Sequence, residues 1–181
     1  EYIERVTELF KQLTHSSKLC TPTQEFTDSL NHDENLRFEV FVTKPTIYSE
    51  APYRRKIAFM RHRLQLNLNK TQAHIHGNFE DESQYINAYK TELDFLNDLY
   101  LLRDSLRSHG DENVANKALY DLIRLVESFG FYLMHLDVRQ ESTRHTNVVS
   151  EVLKQIDTKI DYHSLSEDDR IALLADLIEN P

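Results

Sequence analysis

At Gly130 the spacing of the apolar residues changes, and that change limits the folds open to this chain. Before it, apolar residues recur three and four apart, the period of a helix with one buried face. After it, Tyr132, Met134, Leu136 and Val138 recur two apart, which predicts a strand over about 131–138. The alternate positions, Phe131, Leu133, His135, Asp137 and Arg139, begin apolar and become polar. One face is therefore expected to pack on helices while the other turns polar toward the C-terminal end. A lone strand cannot satisfy its own backbone groups, and no other segment reads convincingly as its neighbour. The missing strands are expected from a longer polypeptide. A strand, a polar loop and then a helix is the unit of a β/α barrel, whose reactive groups gather at the C-terminal ends of the strands. Arg139 stands at that place.

Elsewhere the pattern is helical. Ile3, Val6, Leu9, Phe10 and Leu13 mark one helix, and Thr21-Pro22-Thr23 interrupts it. A short helix is expected over 24–32, around Phe26 and Leu30. Residues 36–47 read two ways: Phe38, Val40 and Val42 alternate as in a strand, yet Pro45 and the helical surroundings favour helix or irregular structure. Pro52 suits the first turn of a long helix, where its missing N–H is no loss. Ile57, Met60, Leu64 and Leu68 mark that helix's face. A second long helix is expected from about Ser83 to Arg107, with Tyr85, Tyr89, Leu93, Leu96, Leu99 and Tyr100 inward. A third carries Val114, Ala118, Leu122 and Leu125 or Val126. After the strand, Ser142 is expected to cap a helix that buries Val148, Val149, Val152, Leu153 and Ile156. Ser166 with Asp169 opens the last helix, with Ile171, Leu174 and Leu177 or Ile178 inward. The organisation expected is a helical region over 1–128 and a second part over 129–181 holding the strand, a loop and the following helices.

Composition agrees with a mainly helical fold. Three Gly and four Pro in 181 residues leave little punctuation for an all-β chain. Against 21 Lys and Arg stand 30 Asp and Glu, a formal charge of −9, which argues against a nucleic-acid backbone or an anionic membrane as partner. A small anionic ligand stays possible, because local fields in a pocket can oppose the net charge. Cys20 is the only cysteine, so no internal disulfide can form. No apolar run approaches the roughly 18 residues of a membrane span. The chain does not begin with Met, and the expectation is a piece of something larger.

The segment Phe129-Gly130, followed by Leu136-Asp137-Val138-Arg139-Gln140-Glu141-Ser142-Thr143-Arg144-His145-Thr146, resembles the F-G-x-x-L-x-x-[LI]-D-[IV]-R-Q-E-S-x-R-H-T run of phosphoenolpyruvate carboxylases. Ala51-Pro52-Tyr53-Arg54 with Met60-Arg61-His62-Arg63-Leu64 is similar to that family's E-P-Y-R-x-x-L-x-x-[LV]-R-x-[RK]-L helix, with Ala51 for the usual Glu. Ser164-Leu165-Ser166-Glu167-Asp168-Asp169-Arg170 resembles W-S-E-x-D-[RK], with Leu165 for Trp. The likeness covers about residues 50–181.

The resemblance implies a large, mostly helical enzyme built around a β/α (TIM-like) barrel and assembled as a cytoplasmic homotetramer. It implies a lyase that joins phosphoenolpyruvate and bicarbonate into oxaloacetate and phosphate with Mg²⁺ or Mn²⁺, fixing carbon dioxide for the tricarboxylic acid cycle. On the resemblance, Arg139 lines the active site and grips phosphate, a task suited to planar paired donors. Asp137, Gln140 and Glu141 are expected to orient it or to pair with Arg144. The family's G-T-x-H-P-T histidine motif does not occur here, and its lysine, metal ligands and glycine-rich loop lie elsewhere in the family's sequence. No residue of this chain is therefore assigned to the metal, and the isolated piece is expected to be inactive. The arginine of P-Y-R has been linked in some members to an anionic effector, which makes Arg54 a candidate. The plainer alternative is a surface arginine beside Arg55 and Lys56 in a helix's first turn, a placement the helix dipole disfavours.

Other signals read as structural. His74 and His76 stand two apart, so on a helix they do not face each other. His135 reads as a core histidine and His145 as part of a helix start. Cys20 has only Lys18 nearby to activate it. Apart from the resemblance, the helices alone suit an interaction or scaffold domain without chemistry. The strand ending in Asp137 and Arg139 suits an enzyme.

Overall fold

A computed structural model describes residues 1–77, 82–111, 113, 116–132, 139–156 and 160–179. Every regular element among the described residues is helical. The chain divides into two compact units, Glu1–Met134 and His135–Pro181.

Among the described residues the first unit has the α-helices α1 (Tyr2–Gln12), α2 (Gln24–Asp33), α3 (Arg37–Val40), α4 (Pro52–Ile75), α5 (Glu92–Ser108) and α6 (Ala118–Phe129). Helix α1 lies along α4 and also meets α6, α5 packs on α6, and α2 bridges α4 and α5. The shared core takes Val6, Leu9 and Leu13 from the α1 segment, Tyr53, Ile57, Met60 and Leu64 from α4, Phe95, Leu99 and Leu102 from α5, and Leu119, Leu122 and Val126 from α6. Tyr53, Phe95, Leu102 and Leu119 add to the faces expected from the sequence, while Leu68, expected inward on α4, is exposed. Thr23 caps α2 by accepting from the Phe26 N–H, and Pro52 opens α4, both as their residue types dictate. Gly130 ends α6 with φ of +54°, and an added Cβ there would press within 3.2 Å of the Glu92 side chain. Among the described residues no helix is long and apolar enough to cross a membrane.

Three expectations change in this unit. The long helix expected from Ser83 starts at Glu92, preceded by a 3₁₀ turn at Glu82–Tyr85. The Thr91 hydroxyl accepts from the Asp94 N–H while the Asp94 carboxylate accepts from the Thr91 N–H, and this reciprocal box sets the start. Tyr89 is buried from the loop before it, and Leu93, on the outer side of the first turn, is 60% exposed. The strand alternative for 36–47 gives way to a 3₁₀ turn at Glu34–Leu36, helix α3 and an irregular stretch. Leu36 and Phe41 reach the core there while Phe38 stays exposed. Phe131 and Tyr132, the expected start of the strand, form a turn and a bend, and Phe131 stacks near Phe95 with centroids 6.2 Å apart. The rest of the expected strand, 133–138, lies outside the described residues, as does Val114.

The second unit holds α7 (Ser142–Ile156) and α8 (Glu167–Glu179). Ser142 lies inside α7 rather than capping it: the Glu141 carbonyl accepts from the N–H groups of Arg144 and His145. Ser166 does cap α8, accepting from the Asp169 N–H at 3.2 Å. Leu153 and Ser150 are buried, but Val148, Val152 and Ile156 are exposed at four-residue steps along α7, and so are Ile171 and Ile178 on α8. Two short helices cannot enclose apolar residues on several sides, so part of each expected inward face lacks cover.

Candidate functional site

Arg139, Gln140 and Glu141 form the irregular segment that leads into α7, and all three side chains are exposed. The Gln140 side-chain oxygen accepts from the Glu141 N–H at 3.0 Å. Arg144 lies exposed in the first turn of α7, and its backbone N–H meets the Glu141 carbonyl at 3.0 Å. The structure therefore gathers Arg139, Gln140, Glu141 and Arg144 where a loop enters a helix. That placement puts both arginines at the surface. Asp137 and His135 lie outside the described residues.

Arg54 takes a different position. From the first turn of α4 its Nε–H donates to the Phe10 carbonyl at 3.1 Å, and the guanidinium lies 5.2 Å from the Phe10 ring and 5.5 Å from the Tyr48 ring. Phe10 belongs to the last turn of α1, so Arg54 brings positive charge to the negative end of that helix. The unfavourable place at the head of α4 is thereby offset at the tail of α1.

Sequence reasoning missed the most heavily buried polar cluster. Lys56 is fully buried; its ammonium donates to Ser29 at 2.8 Å and Asp33 at 2.7 Å and pairs with Asp98 at 2.6 Å. Arg63 bonds Asp33 and reaches Asp98 at 3.5 Å, and the Tyr89 hydroxyl donates to Asp98 at 2.7 Å. Burial alone would lower the pKa of Arg63, but Asp33, Tyr89 and Asp98 together hold it above its usual value. Burial first, and then the charge of Asp98, push the Tyr89 hydroxyl well above its usual range. Two cations thus meet two carboxylates, joining α2, α4 and α5. A signal was present: Lys56 falls in phase with Tyr53, Met60 and Leu64, and Asp98 lies beside Leu99 among inward residues. Nearby, Arg55 grips Glu34 with Nε at 2.5 Å and a terminal nitrogen at 2.6 Å. These pairings are internal and closed, and they hold the helices in register.

Several other titratable groups are also engaged. The Tyr53 hydroxyl lies 2.6 Å from the Ser105 hydroxyl and 2.8 Å from His109 Nε2, and His15 pairs with Asp111. Burial pushes the Tyr53 pKa from 10 up to about 12, against the opposing pull of the Ser105 bond. The Cys20 thiol donates to the Ser16 carbonyl at 3.4 Å, and burial followed by Asp111 raises its pKa, the reverse of activation. His74 ends up in the last turn of α4 and His76 just beyond it. Among the described residues no group of three or more His, Cys, Asp or Glu side chains could hold a metal ion.

The raised pKa values of Tyr53 and Tyr89 set an alkaline limit. In the unfolded chain each ionises near pH 10, while in the fold Tyr53 keeps its proton to about 12 and Tyr89 well past its usual range. Their contribution is complete below pH 10. It falls as pH rises above that, because the unfolded state then releases protons the native state keeps, by up to about 1.4 kcal/mol per pH unit per tyrosine. Melting temperatures measured from pH 9 to 11 should drop steeply, and Tyr53→Phe should flatten part of the slope. A level profile would remove both tyrosines from the linkage.

Residues 1–181 match a family model described as phosphoenolpyruvate carboxylase. A phosphoenolpyruvate carboxylase of Roseiflexus castenholzii is 36% identical over 99% of this chain, which is 19% of that relative. One from Nostoc sp. is 32% identical over 96% of the chain and 17% of the relative. Phosphoenolpyruvate carboxylase 1 of Chlamydomonas reinhardtii is 40% identical over 68% of the chain and 13% of the relative. The chain spans at most about a fifth of the length of these curated relatives.

Proposed function

The chain belongs to the phosphoenolpyruvate carboxylase family, and we propose that it supplies one wall of the active site of a lyase that carboxylates phosphoenolpyruvate. The whole-chain family match carries the reading, with Leu136-Asp137-Val138-Arg139-Gln140-Glu141-Ser142 at its centre. In the reaction, a bicarbonate oxygen attacks the phosphorus of phosphoenolpyruvate, and the bond from phosphorus to the enol oxygen breaks. Carboxyphosphate and the enolate of pyruvate result. The enolate carbon then attacks the carboxyl carbon, released as carbon dioxide, and oxaloacetate and phosphate are formed.

Every species on that path is anionic, so the site needs fixed cationic donors. Arg139 is assigned to the phosphate, and its exposure at the head of α7 supports that role. Gln140, Glu141, Arg144 and Asp137 are assigned to orienting it. Mg²⁺ or Mn²⁺, when bound, adds charge stabilisation; its ligands are assigned to parts of the polypeptide other than this chain. The same polypeptide is assigned a β/α barrel, a cytoplasmic homotetramer and a supply of oxaloacetate to the tricarboxylic acid cycle. The apolar residues left open on α7 and α8 support packing against the remainder of such a protein. Arg54 stays a candidate for an anionic effector, since only its Nε–H is hydrogen-bonded among the described residues.

The test compares two preparations supplied with phosphoenolpyruvate, bicarbonate and Mg²⁺. The full-length protein carrying this segment should produce oxaloacetate and phosphate in equal amounts, and the 181-residue chain alone should produce neither. A full-length protein that releases phosphate without oxaloacetate, or turnover by the short chain in a clean preparation, would overturn the reading.

A further inference from the structure

Within the first unit, α1, α3 and α4 and the irregular stretch after α3 line an open hollow of about 400 Å³. That volume lies in the range that takes small organic ligands, roughly 300–1,000 Å³. Its walls are mainly apolar and aromatic, with Phe10, Val40, Phe41, Ile47, Tyr48 and Ala58. The Tyr48 ring stands edge-on to Phe10 at 5.3 Å and to Phe41 at 6.3 Å. Tyr48 holds this place with φ of +63°, the one positive φ among the described residues other than glycine. Backbone held in that region tends to mark sites where a side chain must be aimed.

The charges around the hollow are one-sided. Arg61 and Lys44 line it, and no carboxylate does, although acidic residues outnumber basic ones in the chain by 30 to 21. Arg61 is half-buried, and its guanidinium lies 5.4 Å from the Phe10 ring. It makes no hydrogen bond or ion pair with the described residues, in contrast to Arg55 and Arg63 on the same helix. All five of its N–H donors are thus open at the edge of an aromatic hollow. Arg54 does not line the hollow.

We propose that this hollow binds a small organic anion with an apolar body, an aryl or branched alkyl carboxylate whose head pairs with Arg61 and whose body lies against Phe41 and Tyr48. The apolar walls favour the body, and the open guanidinium offers the carboxylate paired donors. An inorganic anion lacks the body, and a neutral aromatic lacks the head, so each should bind poorly. The site is independent of the carboxylation chemistry assigned to Arg139.

The experiment titrates the full-length protein with 3-phenylpropionate, its uncharged amide and inorganic phosphate, by calorimetry and by NMR of the ligand. Saturable binding of the carboxylate is expected, with the amide and phosphate at least about tenfold weaker, the difference one charge-assisted pair makes. Arg61→Gln should weaken the carboxylate by a similar factor, and Arg61→Lys by less. Val42, 77% exposed on the rim, tolerates a charge, so Val42→Asp should weaken it too without lowering the melting temperature. Arg103→Gln, at a guanidinium away from the hollow and already paired with Asp104, should change nothing. Equal affinity for acid and amide, indifference to both Arg61→Gln and Val42→Asp, or no saturable binding because another part of the polypeptide fills the hollow would each overturn the proposal.

Discussion

Lys56→Met is expected to lower the unfolding free energy by about 3–5 kcal/mol, the loss seen when one partner of a buried pair is removed. The expectation rests on position. The Lys56 side chain is fully buried, and its ammonium meets Ser29, Asp33 and Asp98 within 2.8 Å. Met keeps most of the volume, so the effect isolates the charge. Without it, Asp33 and Asp98 face each other with only Arg63, and two carboxylates stay buried beside one cation. Asp98→Asn combined with Lys56→Met should be less damaging than the sum of the single changes, since both act on one network. Urea denaturation of the three variants checks this. A loss below about 1 kcal/mol for Lys56→Met would mean that the cluster is hydrated and that its charges are screened as at a surface.

In the full-length protein, Arg139→Ala is expected to lower kcat/KM by an amount equal to about 2–4 kcal/mol, as when one preorganised donor leaves a transition-state site. Arg139→Lys should lose less, because it keeps the charge and gives up only the two-pronged grip. The rival account is structural, with Arg139 serving only to neutralise nearby acids such as Glu141. That account requires the melting temperature to fall in step with activity. The exposure of Arg139 argues for the first: a side chain at the surface of a loop stabilises little through a single pair. Activity and melting temperature measured on the same variants separate the two. An Arg139→Ala protein that turns over normally would take Arg139 out of the site altogether.

How far these features were legible differs by residue. Helices α1, α4 and α6 could be placed from apolar spacing together with Pro52 and Gly130, because a buried face and a local backbone constraint both act within a few residues. The start of α5 was misplaced although its signal was local. Tyr85 and Tyr89 continue the helical phase, but Thr91 and Asp94 offer the backbone a box that begins the helix later. The inward faces expected for α7 and α8 followed the same spacing, yet Val148, Val152, Ile156, Ile171 and Ile178 are exposed. Spacing tells which residues share a face, and only neighbouring elements decide whether that face is covered.

By itself, then, the sequence determined the helical class, several helix ends and the family. Each of these depends on residues close together in the chain. The tertiary structure alone decided that Lys56 would find Asp33 and Asp98, 23 and 42 positions away, that Arg54 would hold the end of α1, and that Arg61 would have no hydrogen bond or ion pair among the described residues beside an aromatic hollow. A charged residue within an apolar face announces that it needs a partner. Which partner it finds depends on how separate helices are brought together, and no spacing along one helix encodes that.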